Sequence, residues 1–373
     1  MSVFAIAAGG TAGHINPALA LAQELRDRGH EVKFYGTVKG MEASLVPEHG
    51  FAFEGLDLSG FDRSRPWTMV SALVKTARAR KRVKSEFERD GVPAAAIGFG
   101  AYVSLPLADA ARSCGVPLVI HEQNSVPGMA NKVLAKHAAV LALTYPSSRE
   151  RFGSHVGPQT EVVVCGNPVR RSVLAPTREE GRAKLGLPGD AVVLLVFGGS
   201  LGALHLNKTL VRLKGELLGR PGLHVVHATG KRDFEEISAD LGLTAEEAER
   251  WRLVPYIEDM GSCLAAADAV LSRSGASSAA EIAARCVPSI LVPYPYATEN
   301  HQAINAAYLG DAGAAVVVPD SDIDGPAFDA ELLSLVDDAD RRAAMRRALE
   351  GLGVADAARR LADAVEAAAR RAR

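Results

Sequence analysis

Short apolar runs recur along the whole chain, at 3–8, 31–35, 94–97, 117–120 and 161–165, then at 191–197, 223–227, 252–256, 269–271, 288–292 and 314–318. Those at 3–8 and 191–197 lack the alternation of a half-exposed strand and are expected of parallel strands covered on both faces. Helical segments lie between them. Pro17 near a start and Gly29 past an end predict a helix over 17–29, and Thr177 with Glu180 predicts a capping box for a helix reaching Leu185. A helix over 66–88 carries Met69, Ala72, Thr76, Ala79, Val83 and Phe87 on one stripe at about 100° per residue, with Arg80 the one misfit. Trp67, Val70 and Val74 fall roughly opposite, sharing that side with Lys75, Arg78, Lys81 and Arg82. The tail over 341–373 is Ala- and Arg-rich, has no Pro and reads as helix.

The βα rhythm breaks at Asn167-Pro168 and restarts, which places a boundary at 166–171 with Arg170 in the hinge. Each half opens on a strand and a glycine turn, so two similar doubly wound domains are expected. At 373 residues the chain exceeds the ~250–300 at which a single core stops growing. A hydrophobic fraction of 48% supports solid cores in both. The net charge of −2 gives no global reason to expect a nucleic-acid partner. The four cysteines are far apart and form no CxxC pair, arguing against zinc or a disulfide framework and for buried thiols. No basic segment precedes the first strand and no apolar run approaches ~18 residues, so neither secretion nor a membrane span is expected.

Candidate chemistry gathers where strands end. Ser272-Arg273-Ser274-Gly275 leads from a strand into the small residues Ala276, Ser277 and Ser278, a phosphate seat made of unpaired first-turn amides and the helix dipole. Glu281 lies five residues beyond Ala276, about 7.5 Å along a helix axis, a suitable distance for a ribose diol beside a diphosphate. Gln302 and Asn305 share a helix face and suit sugar hydroxyls, and the loop from Tyr256 to Met260 is placed to meet a base. A second turn, Gly9-Gly10-Thr11-Ala12-Gly13-His14, has neither GxGxxG spacing nor the Lys-Ser or Lys-Thr of a P-loop. His14 sits at the carboxyl end of the first strand, where open α/β sheets place their clefts. A third turn runs from Gly98 through Gly100, Ala101 and Tyr102 to Ser104, and His121-Glu122-Gln123-Asn124 puts four polar residues at another strand end. The aspartates at 320, 322 and 324 and at 337, 338 and 340 lie away from these strand ends and are rejected as metal ligands.

Taken in order, the stretches GGTAGHINPALA, GFGAYVSLPLADAA, HEQN, GNPVR, GGSLGA, SRSGASSAAEIA and ATENHQAINA resemble the MurG family end to end. These are bacterial peptidoglycan glycosyltransferases that add N-acetylglucosamine to a lipid-linked muramyl pentapeptide. The resemblance implies an α/β GT-B fold, two Rossmann-like doubly wound parallel-sheet domains facing across a cleft. Residues 1–166 would bind acceptor and membrane, rejoined by a C-terminal helix over 353–373, and 167–352 would bind the UDP-sugar. It implies an inverting transfer from UDP-N-acetylglucosamine to the C4 hydroxyl of undecaprenyl-linked lipid I, without metal or cofactor. Uracil would lie against Ile257, the diphosphate near Ser200 and Ala276 to Ser278, and the ribose on Glu281. Gln302 and Asn124 would hold the sugar, Thr11, Ala12, Gly13 and Arg170 would approach the donor, and Gly100, Tyr102 and Ser104 would face the acceptor. His14 is the implied base and Glu122 the second candidate. Ala12 and Ala101 depart from the family's usual glycines, and a shifted loop is expected there. Trp67, Val70, Val74, Arg78 and Lys81 would meet an anionic membrane surface, giving a peripheral protein on the cytoplasmic face with cell-wall synthesis or division proteins as further partners. The rival readings are a GT-B transferase with a soluble acceptor, a UDP-N-acetylglucosamine 2-epimerase, and a non-enzymatic nucleotide-sugar sensor.

Overall fold

The computed structural model describes residues 1–60, 68–199 and 202–372, which form two compact units, Met1–Arg170 with Asp356–Arg373 and Arg171–Ala355. The first holds seven strands: β1 (Val3–Ala7), β2 (Glu31–Thr37), β3 (Ala52–Leu56), β4 (Ala95–Gly98), β5 (Leu118–Glu122), β6 (Val140–Leu143) and β7 (Glu161–Val164). The second holds six: β8 (Val192–Phe197), β9 (Leu223–Ala228), β10 (Trp251–Val254), β11 (Ala269–Ser272), β12 (Ser289–Leu291) and β13 (Ala315–Val317). Every pairing in both sheets is parallel.

The strand orders, β3-β2-β1-β4-β5-β6-β7 and β10-β9-β8-β11-β12-β13, run outward in both directions from the first strand of each unit. Each sheet therefore reverses between β1 and β4 or between β8 and β11, and the loops beyond those carboxyl ends part to leave a crevice. The glycine turns singled out above follow these four strands.

Alternation along β1 divides the first core in two. Phe4 and Ile6 pack with Leu21 and Leu25 of helix Ala12–Asp27 and with Leu361 and Val365 of helix Ala357–Arg371. Ala5 and Ala7 face Val83 and Phe87 of helix Thr68–Asp90 and Leu107 of helix Ser104–Ser113. In the second unit, helix Arg178–Leu185 crosses helix Met260–Ala266 so closely that a side chain at Gly181 would lie 2.5 Å from the Ser262 carbonyl oxygen. Thr177 and Glu180 form the capping box expected of them.

Several boundaries differ from the sequence reading. The first helix begins at Ala12 rather than near Pro17, because the glycine turn passes directly into helical backbone and Pro17 lies inside the helix. Ala12, Gly13 and His14 thereby occupy its first turn. His121 and Glu122 belong to β5 instead of following it. The tail is two helices, Ala339–Gly351 and Ala357–Arg371, parted where Gly353 adopts a left-handed φ of 57°. The last is joined to the first unit by Arg28, which bonds Asp363 at 2.7 Å and the Arg359 carbonyl at 3.2 Å.

Leu361, fully buried on that returning helix, is expected to lose about 2–5 kcal/mol of first-unit stability on replacement by Ala. Urea unfolding followed by hydrogen exchange of β1 and β4 measures it; unchanged protection would show that the helix is dispensable to this core.

Candidate functional site

In the first unit, Gly10 turns the chain with a φ of 87° and Thr11 takes the extended N-cap position of the first helix. The Thr11 hydroxyl lies 3.1 Å from His14 Nδ1, and the half-buried imidazole also bonds the Gly9 carbonyl. A side chain at Gly100 would come within 3.4 Å of the His14 ring, so the glycine there lets the third turn lie flat against the imidazole. Burial lowers the His14 pKa below its ordinary 6.5, opposed by the Gly9 carbonyl and the negative charge of Glu42. The ring is accordingly neutral near pH 7, the form that accepts a proton.

Glu122 is only 2% exposed. Its carboxylate accepts from the backbone N–H groups of Asn124 at 3.0 Å and Gly128 at 3.1 Å, from Asn131 Nδ2 at 2.8 Å, and from the Asn124 side chain. Burial pushes its pKa up, while these donors pull the other way. Four donors occupy its lone pairs, and through them Glu122, the second candidate base, ties down the loop over 124–131. Ser104 is likewise buried, its hydroxyl donating to the Gly100 carbonyl at 2.6 Å, so it closes the third turn from behind rather than facing an acceptor. Tyr102 is exposed and bonds the Gly60 backbone through its hydroxyl. Ala101 retains a left-handed φ of 58°, whereas Ala12 lies in regular helix where a methyl group costs nothing. Arg170, half-buried, is the last residue of the first unit.

In the second unit, helix Ala276–Ala284 begins at Gly275 with no side-chain cap. By contrast, Thr177, Thr244, Asp259 and Asp338 cap their own helices. Ala276, Ser277 and Ser278 form the first turn of helix Ala276–Ala284 and are each half-buried. Arg273, just before it, is buried, donates to the carbonyls of Val292 at 3.2 Å and Pro293 at 3.3 Å, and pairs with Asp320. It fastens the β11 turn to the end of β12. Gln302 joins the same assembly: its side-chain oxygen accepts from Tyr294 N–H at 3.0 Å and its carbonyl accepts from the Ser274 hydroxyl at 2.9 Å. Glu281 is buried on the flank of the helix, and Asn305 is fully buried, which removes it from the sugar-facing role expected of it. Ile257, half-buried after β10, lines a cavity of about 160 Å³ with Val226, Val254, Tyr256 and Cys263. Ser200 lies outside the described residues, between Gly199 and Gly202, whose φ values are 83° and 77°.

Helix Thr68–Asp90 buries Ala79, Val83 and Phe87 as its pattern predicts, and turns Val70 (65% exposed), Leu73 (64%) and Val74 (45%) outward. Leu73, three residues after Val70, escaped the sequence reading although its spacing put it in reach. Acids from outside this helix neutralise some of its cations, Asp57 meeting Lys75 and Glu54 meeting Arg82, and Arg82 also lies near Glu86 one turn on. Arg78 and Lys81 remain exposed, without an ion pair among the described residues, on a groove of about 510 Å³. Trp67 lies outside the described residues. The two aspartate runs are engaged elsewhere, Asp320 and Asp324 by His205 and Asp337 by Arg220.

Two all-parallel sheets, each reversing at a switch point followed by glycine-rich turns, define a pair of Rossmann-like doubly wound units. Residues 4–142 match the glycosyltransferase family 28 N-terminal domain and residues 193–361 its C-terminal domain. The chain is 39% identical to the UDP-N-acetylglucosamine--N-acetylmuramyl-(pentapeptide) pyrophosphoryl-undecaprenol N-acetylglucosamine transferase of Halothermothrix orenii, over 92% of this chain and 93% of that one. With the transferase of the same name from Desulforudis audaxviator it shares 37%, over 97% of each chain. The crystal structure of Acinetobacter baumannii MurG superposes with a TM-score of 0.73 at 27% identity, covering 98% of this chain and 99% of that one. The chain belongs to this family of N-acetylglucosamine transferases, the MurG family. A UDP-GlcNAc 2-epimerase from Neisseria meningitidis reaches a TM-score of 0.71 at 13% identity, covering 97% and 99%, a likeness of fold alone.

Ala101→Gly removes a left-handed alanine and is expected to stabilise the protein by about 0.5–1 kcal/mol, the backbone relief less the entropy glycine restores to the unfolded chain. Chemical denaturation checks the sign; a loss of stability would show that the turn is held by the methyl group's contacts.

Proposed function

We propose that the chain transfers N-acetylglucosamine from UDP-N-acetylglucosamine to the C4 hydroxyl of the muramyl sugar of lipid I, with inversion at the anomeric carbon. The observation that carries this reading is the near full-length likeness, at 39% identity, to a relative named as an N-acetylglucosamine transferase between UDP-N-acetylglucosamine and N-acetylmuramyl-(pentapeptide) pyrophosphoryl-undecaprenol. In this reading the donor rests on the second unit. Its diphosphate lies at the uncapped mouth of helix Ala276–Ala284 beside Ser200, its ribose on Glu281, and its uracil at Ile257. Gln302, braced by Tyr294 and Ser274, presents its amide to the sugar, and Asn124 contributes from the loop that Glu122 holds. Charge gathering on the departing UDP is met by aligned backbone amides and by Arg170, groups already oriented before the bond breaks.

The acceptor hydroxyl attacks in line and loses its proton to His14, while Thr11 fixes the imidazole and Ala12 and Gly13 keep the first turn narrow. Tyr102 and the flat Gly100 turn flank the acceptor. The outward apolar residues Val70, Leu73 and Val74, with Trp67 and the cations Arg78 and Lys81, rest on an anionic membrane on the cytoplasmic face, where a lipid-borne acceptor resides. No helix of the described residues is long and apolar enough to cross a membrane.

Labelled UDP-N-acetylglucosamine with a short-chain lipid I analogue should give disaccharide, with and without EDTA. Release of the manno-epimer from the UDP-sugar alone would favour the epimerase instead. His14→Ala should lower turnover by about 10²–10⁴-fold with UDP binding retained. In the wild type, kcat/KM should fall toward acid as His14 protonates, with its midpoint below 6.5 because burial depresses that pKa. Wild-type turnover in the variant would end the base assignment. Val70, Leu73 and Val74 changed together to Ser should abolish flotation with vesicles containing phosphatidylglycerol; undiminished flotation would remove the membrane role of this face.

A further inference from the structure

Glu42 is fully buried and was not singled out by any motif. One carboxylate oxygen accepts from the Thr37 N–H at 2.8 Å and the Thr37 hydroxyl at 2.7 Å, and the other from the Gly10 N–H at 3.4 Å. Three glycines close round it, Gly9 in the turn after β1, Gly36 within β2 and Gly40 in the turn after β2. A side chain at Gly9, Gly36 or Gly40 would fall 2.4, 2.5 or 2.2 Å from atoms of Glu42. No Lys or Arg among the described residues pairs with this acid, although a buried carboxylate without a compensating charge is costly. The titratable groups its charge acts on are His14 and Tyr102. His121 of β5 also faces His14, but burial lowers its pKa to about 4 and its Nε2–H donates to the Gly166 carbonyl, so it stays neutral. Glu122 approaches the same place only through Asn131.

We propose that Glu42 is a positioning residue for His14: its carboxylate holds the Gly9-Gly10 turn that orients the imidazole, and its negative charge stabilises the imidazolium formed when the acceptor proton is taken. The arrangement resembles the acid behind the histidine of a catalytic triad, with one backbone turn in place of a direct hydrogen bond. The inference rests on His14 being the base.

Glu42→Gln keeps the shape and removes the charge. The His14 ring titration, followed by NMR in the full-length protein, should move down by roughly 0.5–1 pH, the reach of one carboxylate through a partly solvated interior. The acidic limb of kcat/KM should move with it and kcat should fall about 10-fold or more, with the KM for UDP-N-acetylglucosamine unchanged. Gly40→Ala, which keeps the charge but displaces the carboxylate, should lower kcat in the same way and serves if the first variant does not fold. An unmoved His14 titration in folded Glu42→Gln, or wild-type kcat and pH profile in Gly40→Ala, overturns the role of Glu42. A titration that moves while the kcat/KM limb stays put overturns instead the assignment of His14 as base, and with it any catalytic role for Glu42.

Discussion

The constraint on which this protein depends is that a parallel strand buried on both faces can offer chemistry only at its ends. Its side chains are committed to the core on either side, as Phe4, Ala5, Ile6 and Ala7 are. Its backbone groups are committed to neighbouring strands. At the carboxyl end the chain must turn into a helix whose first amides have no internal partner. At Gly275, and again after β1 and β8, no side-chain cap bonds the start of the helix that follows.

Burial then decides what each polar group at these ends can do. His14 and His121 both have their pKa lowered by burial, but only His14 keeps part of its surface open, so one is available as a proton acceptor and the other supports the Gly166 turn. Glu122 and Glu42 are acids enclosed by backbone N–H donors, and each organises a loop by the number of donors it gathers. In the second unit Arg273 does the converse, a buried cation collecting carbonyls from the end of β12. These turns are thus held from behind by charged groups facing inward.

Much of this was legible from residue order alone: the alternation of strand and helix, the restart near Asn167-Pro168, the capping box at Thr177, the core stripe of the helix over 68–90, and the uncapped turn at Gly275. These are local properties, since apolar period, turn residues and caps act within a few neighbouring positions. The family likeness is local in the same sense, a succession of short stretches each written in adjacent residues.

What tertiary structure alone decided is which polar side chains face inward. Glu122, Ser104 and Asn305 carry the same functional groups whether buried or exposed, and only the packing of distant elements consigns them to the interior. Glu42 is the extreme case, because its cage is built from Gly9 and Gly40 on two different turns and from Gly36 in β2, with no pattern in the chain to announce it. Sequence determined where strands end and helices begin, because hydrogen bonding along the backbone is short-ranged. The surroundings of each charge were settled only when the sheet brought remote turns together, since desolvation depends on everything nearby in space.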